Sequence, residues 1–242
     1  MDALVIGAGP AGLMAAEELA RAGRRVVICE AKSSPARKFL MAGKSGLNIT
    51  KDEDRGSFIA AYRTDWLRPM LTEFGPREVI IWSRALGQEV FTGSSGRVFP
   101  KTMKASPLLR AWLKRLEGQG VELRTRWRWA GFERDGFAFD KPDGVQVLRP
   151  AVTVLALGGA SWARLGSDAA WVPWLAAKGV QITPWQPANM GFAVDWTPHM
   201  AKHFGAAIKG ATLMAGDQRE RGEFVISAKG IEGGGIYAVS RA

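Results

Sequence analysis

Residues 3–30 read ALVIGAGPAGLMAAEELARAGRRVVICE, and their order decides the fold. Ala3-Leu4-Val5-Ile6 is a short apolar run of the kind that forms a parallel strand buried on both faces. Gly7-Ala8-Gly9-Pro10-Ala11-Gly12 comes next. The stretch from about Ala11 to Ala22 then favours helix, and Gly23 can end it as a left-handed cap. Arg25 to Cys29 reads as a second strand, which finishes at Glu30. Each glycine has its own mechanical task. Gly7 permits the tight turn out of the strand, Gly9 has no side chain to block a pyrophosphate, and Gly12 lets the helix pack against the strand. N–H groups at the helix start, around Ala11 and Gly12, face the phosphates, helped by the helix dipole. Glu30 is placed to accept hydrogen bonds from ribose hydroxyls, and its charge opposes a 2′-phosphate, so NADP is not expected at this site. The glycine pattern alone is weak. Here it has the strand, the helix, small Ala16, the stop at Gly23 and the acid at the right distance, which together predict a dinucleotide site.

Two later features favour FAD over NAD. The loop from Lys32 to Lys51 carries Arg37, Lys38 and Lys44 beside Gly43 and Gly46, which suits a segment turning back toward pyrophosphate and flavin. Val152 to Leu157 is an apolar strand that ends in Gly158-Gly159, suited to return to the same sheet and pass its glycines near the cofactor. Gly43-Lys44-Ser45 imitates a P-loop. That motif needs a glycine where Lys38 stands, and no clear strand leads into it.

Between these features, 58–74 and 76–86 read as two helices, and Gly96 to Pro100 as a short strand. Ser106-Pro107 looks like a cap followed by a first-turn proline, opening a helix to about Leu116. Val121 to Arg124 is a strand. Arg126-Trp127-Arg128-Trp129 and Phe137-Ala138-Phe139 alternate as an antiparallel ribbon, bounded by Asp135-Gly136 and Asp143-Gly144. In FAD folds of this type the residue starting such a ribbon offers its backbone to the adenine, and Trp129 is the candidate. A tryptophan packed under the sheet is the competing reading. Arginines interleaved with aromatics could also stack on RNA bases, but cross-strand packing explains the pattern more economically.

Composition sets limits. The 242 residues are 47% hydrophobic and 23% charged, an ordinary globular balance. The net charge of +10 favours anionic partners without choosing among nucleotides, acidic substrates and nucleic acid. Cys29 is the one cysteine, which excludes an internal disulfide and a cysteine-based metal site; inside its apolar run it reads as a buried, inert thiol. His199 and His203 are four apart, but Met200 stands where a zinc protease needs glutamate, so no metal is expected. No catalytic triad can be assembled. The start, Met1-Asp2-Ala3-Leu4, lacks the pattern of a secretory leader, and no apolar run is long enough for a membrane span, so a cytoplasmic protein is expected.

The segments in order resemble the BaiN/RdsA-type, or YhiN-like, NAD(P)/FAD-dependent oxidoreductases. The resemblance is carried by Gly7 to Glu30, Arg37-Lys38, Ala42 to Asn48, Gly96 to Pro100, Leu157-Gly158-Gly159 and Pro187-Ala188-Asn189. Gly222-Glu223-Phe224 and Gly230 to Tyr237 complete it. It implies an α/β, Rossmann-like FAD-binding fold of glutathione-reductase type with the start of an inserted β-rich domain. Residues 1–188 would be the FAD domain, lacking its closing segment, and 189–242 the beginning of the insert. It also implies hydride transfer from NADH or NADPH through FAD to a carbon–carbon double bond of an unsaturated acceptor, either a small molecule such as a steroid enone or uracil in ribosomal RNA. Carried over by position, the FAD contacts are Ala11, Glu30, Arg37, Lys38, Gly43 and the Trp129 backbone. Many relatives have Gly-Arg-Cys-Asn where this chain has Ser45-Gly46-Leu47-Asn48, so Leu47 replaces the thiol. Family members continue past this length, from which weak FAD retention and negligible turnover by this chain alone are expected. No catalytic acid or base is identifiable. The competing classes are a non-catalytic nucleotide- or RNA-binding module, and an NAD-only dehydrogenase, which would need a catalytic His or Tyr-x-x-x-Lys arrangement that is not recognisable here.

Overall fold

The structure, a computed structural model, describes residues 1–43, 46–62, 64–187 and 189–240. Lys44, Ser45 and Ala188, singled out above, lie outside the described residues. The chain divides into two compact units, Met1–Ile182 and Thr183–Ala242, and each is described by itself.

In the first unit, β1 (Ala3–Ile6) leads through the glycine turn to α1 (Pro10–Arg21) and then to β2 (Val26–Glu30). Gly23 follows α1 with φ 76°, the left-handed stop expected of it. The segment after β2 contains α2 (Arg37–Ala42), which the sequence reading treated as loop. Next come β3 (Thr50–Lys51), α3 (Arg55–Ala60), α4 (Arg68–Glu73), α5 (Pro76–Ala85), β4 (Val90–Thr92) and β5 (Arg97–Pro100), the strands pairing in the order β3-β5-β4. The single helix expected over 58–74 is therefore two short ones. Pro69 is the reason: it sits in the first turn of α4, where its missing N–H costs nothing, whereas mid-helix it would break the ladder.

Helix α6 (Ala105–Gly118) starts one residue before the expected Ser106 cap, and extended Lys104 is its N-cap. Pro107 still falls in the first turn, where no N–H is needed. Strand β6 (Glu122–Thr125) follows. Arg126 then takes a left-handed φ of 60°, so the ribbon expected from Arg126 begins instead at β7 (Arg128–Glu133). It continues through β8 (Gly136–Lys141) and a third strand, β9 (Gly144–Leu148), as an antiparallel meander. Strand β10 (Val152–Leu155) returns beside β1, and α7 (Val172–Ala176) comes after it.

The central sheet has the order β10-β1-β2-β6, with every pairing parallel. Strands β1 and β2 are buried on both faces. On one side Val5 and Ile28 join Leu13 and Ala16 of α1 and Leu108 and Trp112 of α6. On the other Leu4, Val27 and Cys29 meet Trp129, Phe139 and Leu148 of the meander. The chain is thus α/β and Rossmann-like.

One polar group is sealed inside the helical layer. Glu17 of α1, 7% exposed, accepts from the Trp112 indole at 2.6 Å, the Trp82 indole at 3.3 Å and Arg115 at 2.8 Å. Trp82 and Trp112 meet edge-to-face at 4.7 Å, so the carboxylate joins α1, α5 and α6 at one point. A buried carboxylate is tolerable because its oxygens are occupied and one partner is charged.

The second unit comprises β11 (Phe192–Ala193), a 3-10 turn Pro198–His203, β12 (Ala207–Ala215), β13 (Gln218–Ser227), β14 (Gly230–Glu232) and α8 (Gly234–Val239). Its strands form one antiparallel sheet in the order β11-β14-β13-β12. This sheet fits an inserted β-rich domain.

Glu17→Ala strands two indole N–H groups and a guanidinium, and is expected to lower unfolding free energy by about 2–4 kcal/mol. A urea titration followed by tryptophan fluorescence measures this; an unchanged midpoint would show that the carboxylate does not tie the helices.

Candidate functional site

The carboxyl ends of β1, β2 and β10 converge at the point where chain order in the sheet reverses, with β2 on one side of β1 and β10 on the other. Open α/β sheets bind ligands at such points. A cavity of about 260 Å³ lies there. Gly7, Gly9 and Ala11 of the first turn line it, with Glu30 at the tip of β2 and Gly158 after β10.

The turn is built by close approach. Gly7 has φ 103°, and a Cβ there would stand 2.3 Å from the Ala156 carbonyl oxygen. A Cβ on Gly12 would stand 1.9 Å from the Gly7 carbonyl oxygen and 3.2 Å from the Ala156 methyl. Helix α1 therefore rests directly on the ends of β1 and β10. Gly12 does its work in that packing and does not line the cavity. Gly9 differs: a Cβ there meets nothing within 4 Å, so its missing side chain leaves room at the helix start. Pro10 carries no N–H, no side chain caps Gly9, and the first turn has no acidic residue. The N–H groups of Ala11 and Gly12 are thus left for an anion at the positive end of the helix.

Glu30 fastens this turn to β2. Its Oε2 accepts from the Ala8 N–H at 2.9 Å, and its Oε1 from the Lys32 N–H at 2.8 Å. Each oxygen keeps a lone pair for a further donor, so the same carboxylate can serve a ribose hydroxyl.

Arg37 and Lys38, at the start of α2, both line the cavity. Lys38 Nζ donates to Ser161 Oγ at 2.6 Å, whereas Arg37 has no ion pair among the described residues. Gly43 is elsewhere. A Cβ on it would lie 2.6 Å from the Ala105 methyl, so it lets α2 approach α6, and it does not line the cavity. Trp129 borders the cavity, but its indole is buried, donates to the Gly131 carbonyl at 2.8 Å and meets Trp174 edge-to-face at 4.9 Å. That side chain serves packing, and cross-strand contact accounts for the aromatic ribbon.

Sequence reasoning missed several lining residues: Trp127, Arg128, Asp168, Trp171 and Trp174. Arg128 pairs with Asp168 at 3.0 Å. Burial works against the charged form of Asp168, but the Ala170 N–H and Arg128 outweigh it and hold its pKa below the usual carboxylate value. The tryptophans between 162 and 174, close after the paired glycines, were the available signal. Nothing in their spacing marked a cavity wall. Among the described residues no group of three or more His, Cys, Asp or Glu could hold a metal ion, and no helix is long and apolar enough to cross a membrane. His199 and His203 fall in a 3-10 turn.

Residues 1–238 match the family model described as the HI0933-like protein Rossmann domain. Among solved structures, the open conformation of a flavocytochrome c3 fumarate reductase superposes with a TM-score of 0.60 at 17% identity, over 86% of this chain and 47% of that one. The THI4 protein of Thermovibrio ammonificans is 19% identical with a TM-score of 0.48, over 74% of this chain and 63% of its own. The chain thus spans about half of the first structure and under two thirds of the second.

Cys29 is 1% exposed, and burial pushes its thiol pKa up from 9.0 to about 12. The folded state therefore holds a proton that the unfolded chain releases at lower pH. This group's contribution is fully present below pH 9 and declines by about 1.4 kcal/mol per unit as pH rises from 9 toward 12. In a native sample at pH 8 a thiol reagent should leave Cys29 unmodified, and unfolding in urea should release one reactive thiol. Rapid labelling of native protein would refute the buried placement.

Proposed function

We propose, from the premise that this chain belongs to the HI0933-like (BaiN/YhiN-type) family of FAD-dependent oxidoreductases, that it binds FAD in the cavity at the ends of β1, β2 and β10. Residues 1–188 would form the cofactor domain and 189–242 the start of the β-rich domain. The observation that carries the reading is convergence. An uncapped helix start, an open cradle at Gly9, a carboxylate at Glu30 and Arg37, which has no ion pair among the described residues, line one cavity.

These groups fit the two halves of an adenine dinucleotide's polar chain. The α1 N–H groups and Arg37 take the pyrophosphate, the first by dipole and hydrogen bonds, the second by a charge-assisted fork. Glu30, already oriented by Ala8 and Lys32, takes ribose hydroxyls. Lys38 adds positive charge beside the same turn, Gly158 brings the backbone after β10 close, and the Trp129 backbone faces the adenine. Gly7 and Gly12 hold the helix where its N–H groups can act. Gly43 contributes by seating α2.

When bound, the flavin supplies reversible hydride transfer. The family resemblance extends this to NADH or NADPH as reductant and a carbon–carbon double bond as acceptor, carried by a small molecule or by RNA. The protein's part is to bind and orient the cofactor and to keep water from its ring.

Titrating the purified chain with FAD should give a saturable flavin difference spectrum that changes little with salt. A steep loss with salt would point instead to contact with many phosphates, as in RNA binding. Glu30→Ala should weaken FAD binding by about 1.5–3 kcal/mol, the scale of a charge-assisted hydrogen bond. Equal affinity would show that the carboxylate does not touch the ribose. Under anaerobic conditions, NADH or NADPH should bleach the bound flavin, and oxidised absorbance that persists with both would remove them as reductants.

A further inference from the structure

One wall of the cavity is built differently from the rest. The segment from Gly158 to Trp171 lines it through Leu165, Gly166, Ser167, Asp168 and Ala170. Its regular structure is a single 3-10 turn, Ala163–Leu165, flanked by left-handed Trp162 at φ 66° and Gly166 at φ 105°, with left-handed Ala169 at φ 53° further on. No ladder of strand hydrogen bonds fixes its position over the cavity. Side-chain ties reach it from other elements. Lys38 of α2 donates to Ser161 at 2.6 Å, and Arg128 of β7 pairs with Asp168 at 3.0 Å.

The charge pattern separates the two arginines of this cavity. Arg37 has no ion pair among the described residues and suits a phosphate. Arg128, in contrast, already has its carboxylate, so its charge is spent on holding the segment. Its place along the cavity is also defined. The Glu30 carbonyl accepts from the Trp127 N–H at 2.9 Å, which puts Arg128 next to the ribose-binding acid. The pair is half-exposed, at 45% for Arg128 and 30% for Asp168, so it can open in water and responds to salt.

We propose that Arg128 is a positioning residue that, through Asp168, clasps the Gly158–Trp171 segment over the adenosine end of the cofactor site and slows cofactor release. The inference rests on the FAD reading above. The clasp acts on the rate of leaving, because the segment must swing away before the adenosine can exit.

The test is the FAD release rate from the full chain, followed by the return of free-flavin fluorescence after dilution. Arg128→Ala and Asp168→Asn should each speed release about two- to fivefold, the scale of a partly exposed ion pair. The double variant should be no faster than the faster single one, and reversing the pair, Arg128→Asp with Asp168→Arg, should restore slow release. Added salt should speed release from the unaltered protein and leave the single variants nearly unchanged, while melting temperatures without FAD stay alike. Additive effects, or faster release from only one single variant, would mean direct contacts with FAD and would overturn the clasp. Variants that release at the original rate would overturn it as well. If the unaltered chain takes up no FAD at all, the FAD reading fails and the clasp with it, an outcome distinct from the others.

Discussion

Helix α1 touches the strand ends without any side chain between them. A Cβ on Gly12 would stand 1.9 Å from the Gly7 carbonyl oxygen, and one on Gly7 would stand 2.3 Å from the Ala156 carbonyl oxygen. No shift of a flexible side chain can relieve those contacts, since both are with backbone. Everything at the cavity follows from this approach. It sets where the N–H groups of the first turn lie, and so where an anion can sit. It also brings β10 into the same corner as β1 and β2, which makes one cavity out of three strand ends.

The approach is held from both ends. At the front, Glu30 accepts from Ala8 and Lys32, so the turn and the tip of β2 move as one piece. At the back, Glu17 is bonded to Trp82, Trp112 and Arg115, which anchors α1 to α5 and α6. Glu17 and Glu30 have opposite surroundings. Glu17 is sealed and saturated by its partners, and it can only be structural. Glu30 is half-buried beside a cavity and retains acceptor capacity.

The aromatic residues divide in a similar way. Trp129, Phe132, Phe137 and Trp174 pack edge-to-face or tilted against one another, and Trp129 and Trp174 border the cavity. Trp127 lies at the boundary, with the Arg124 guanidinium 4.8 Å from its ring. Part of the positive charge is paired within the fold, as between Arg128 and Asp168 or Arg115 and Glu17. What the cavity offers to an anion is therefore local: a helix start and Arg37, more than the net charge of +10.

The parallel sheet, the first helix with its stop at Gly23, the turn glycines and the acid at Glu30 were all legible in residues 3–30. The reason is that each follows from contacts between near neighbours in sequence: apolar runs, helix periodicity and backbone sterics act over a few residues. The strand at Val152 was legible for the same reason. Helix α2, the split at Pro69 and the start of the ribbon at Arg128 were not, because short elements depend on what they pack against. The task of Gly43 required coordinates, since Ala105 presses on it from far along the chain. Tertiary structure alone brought Arg128 to Asp168 and Lys38 to Ser161, pairs separated by 40 and 123 residues. No local pattern encodes such a pairing, because it exists only once the sheet has closed the distance.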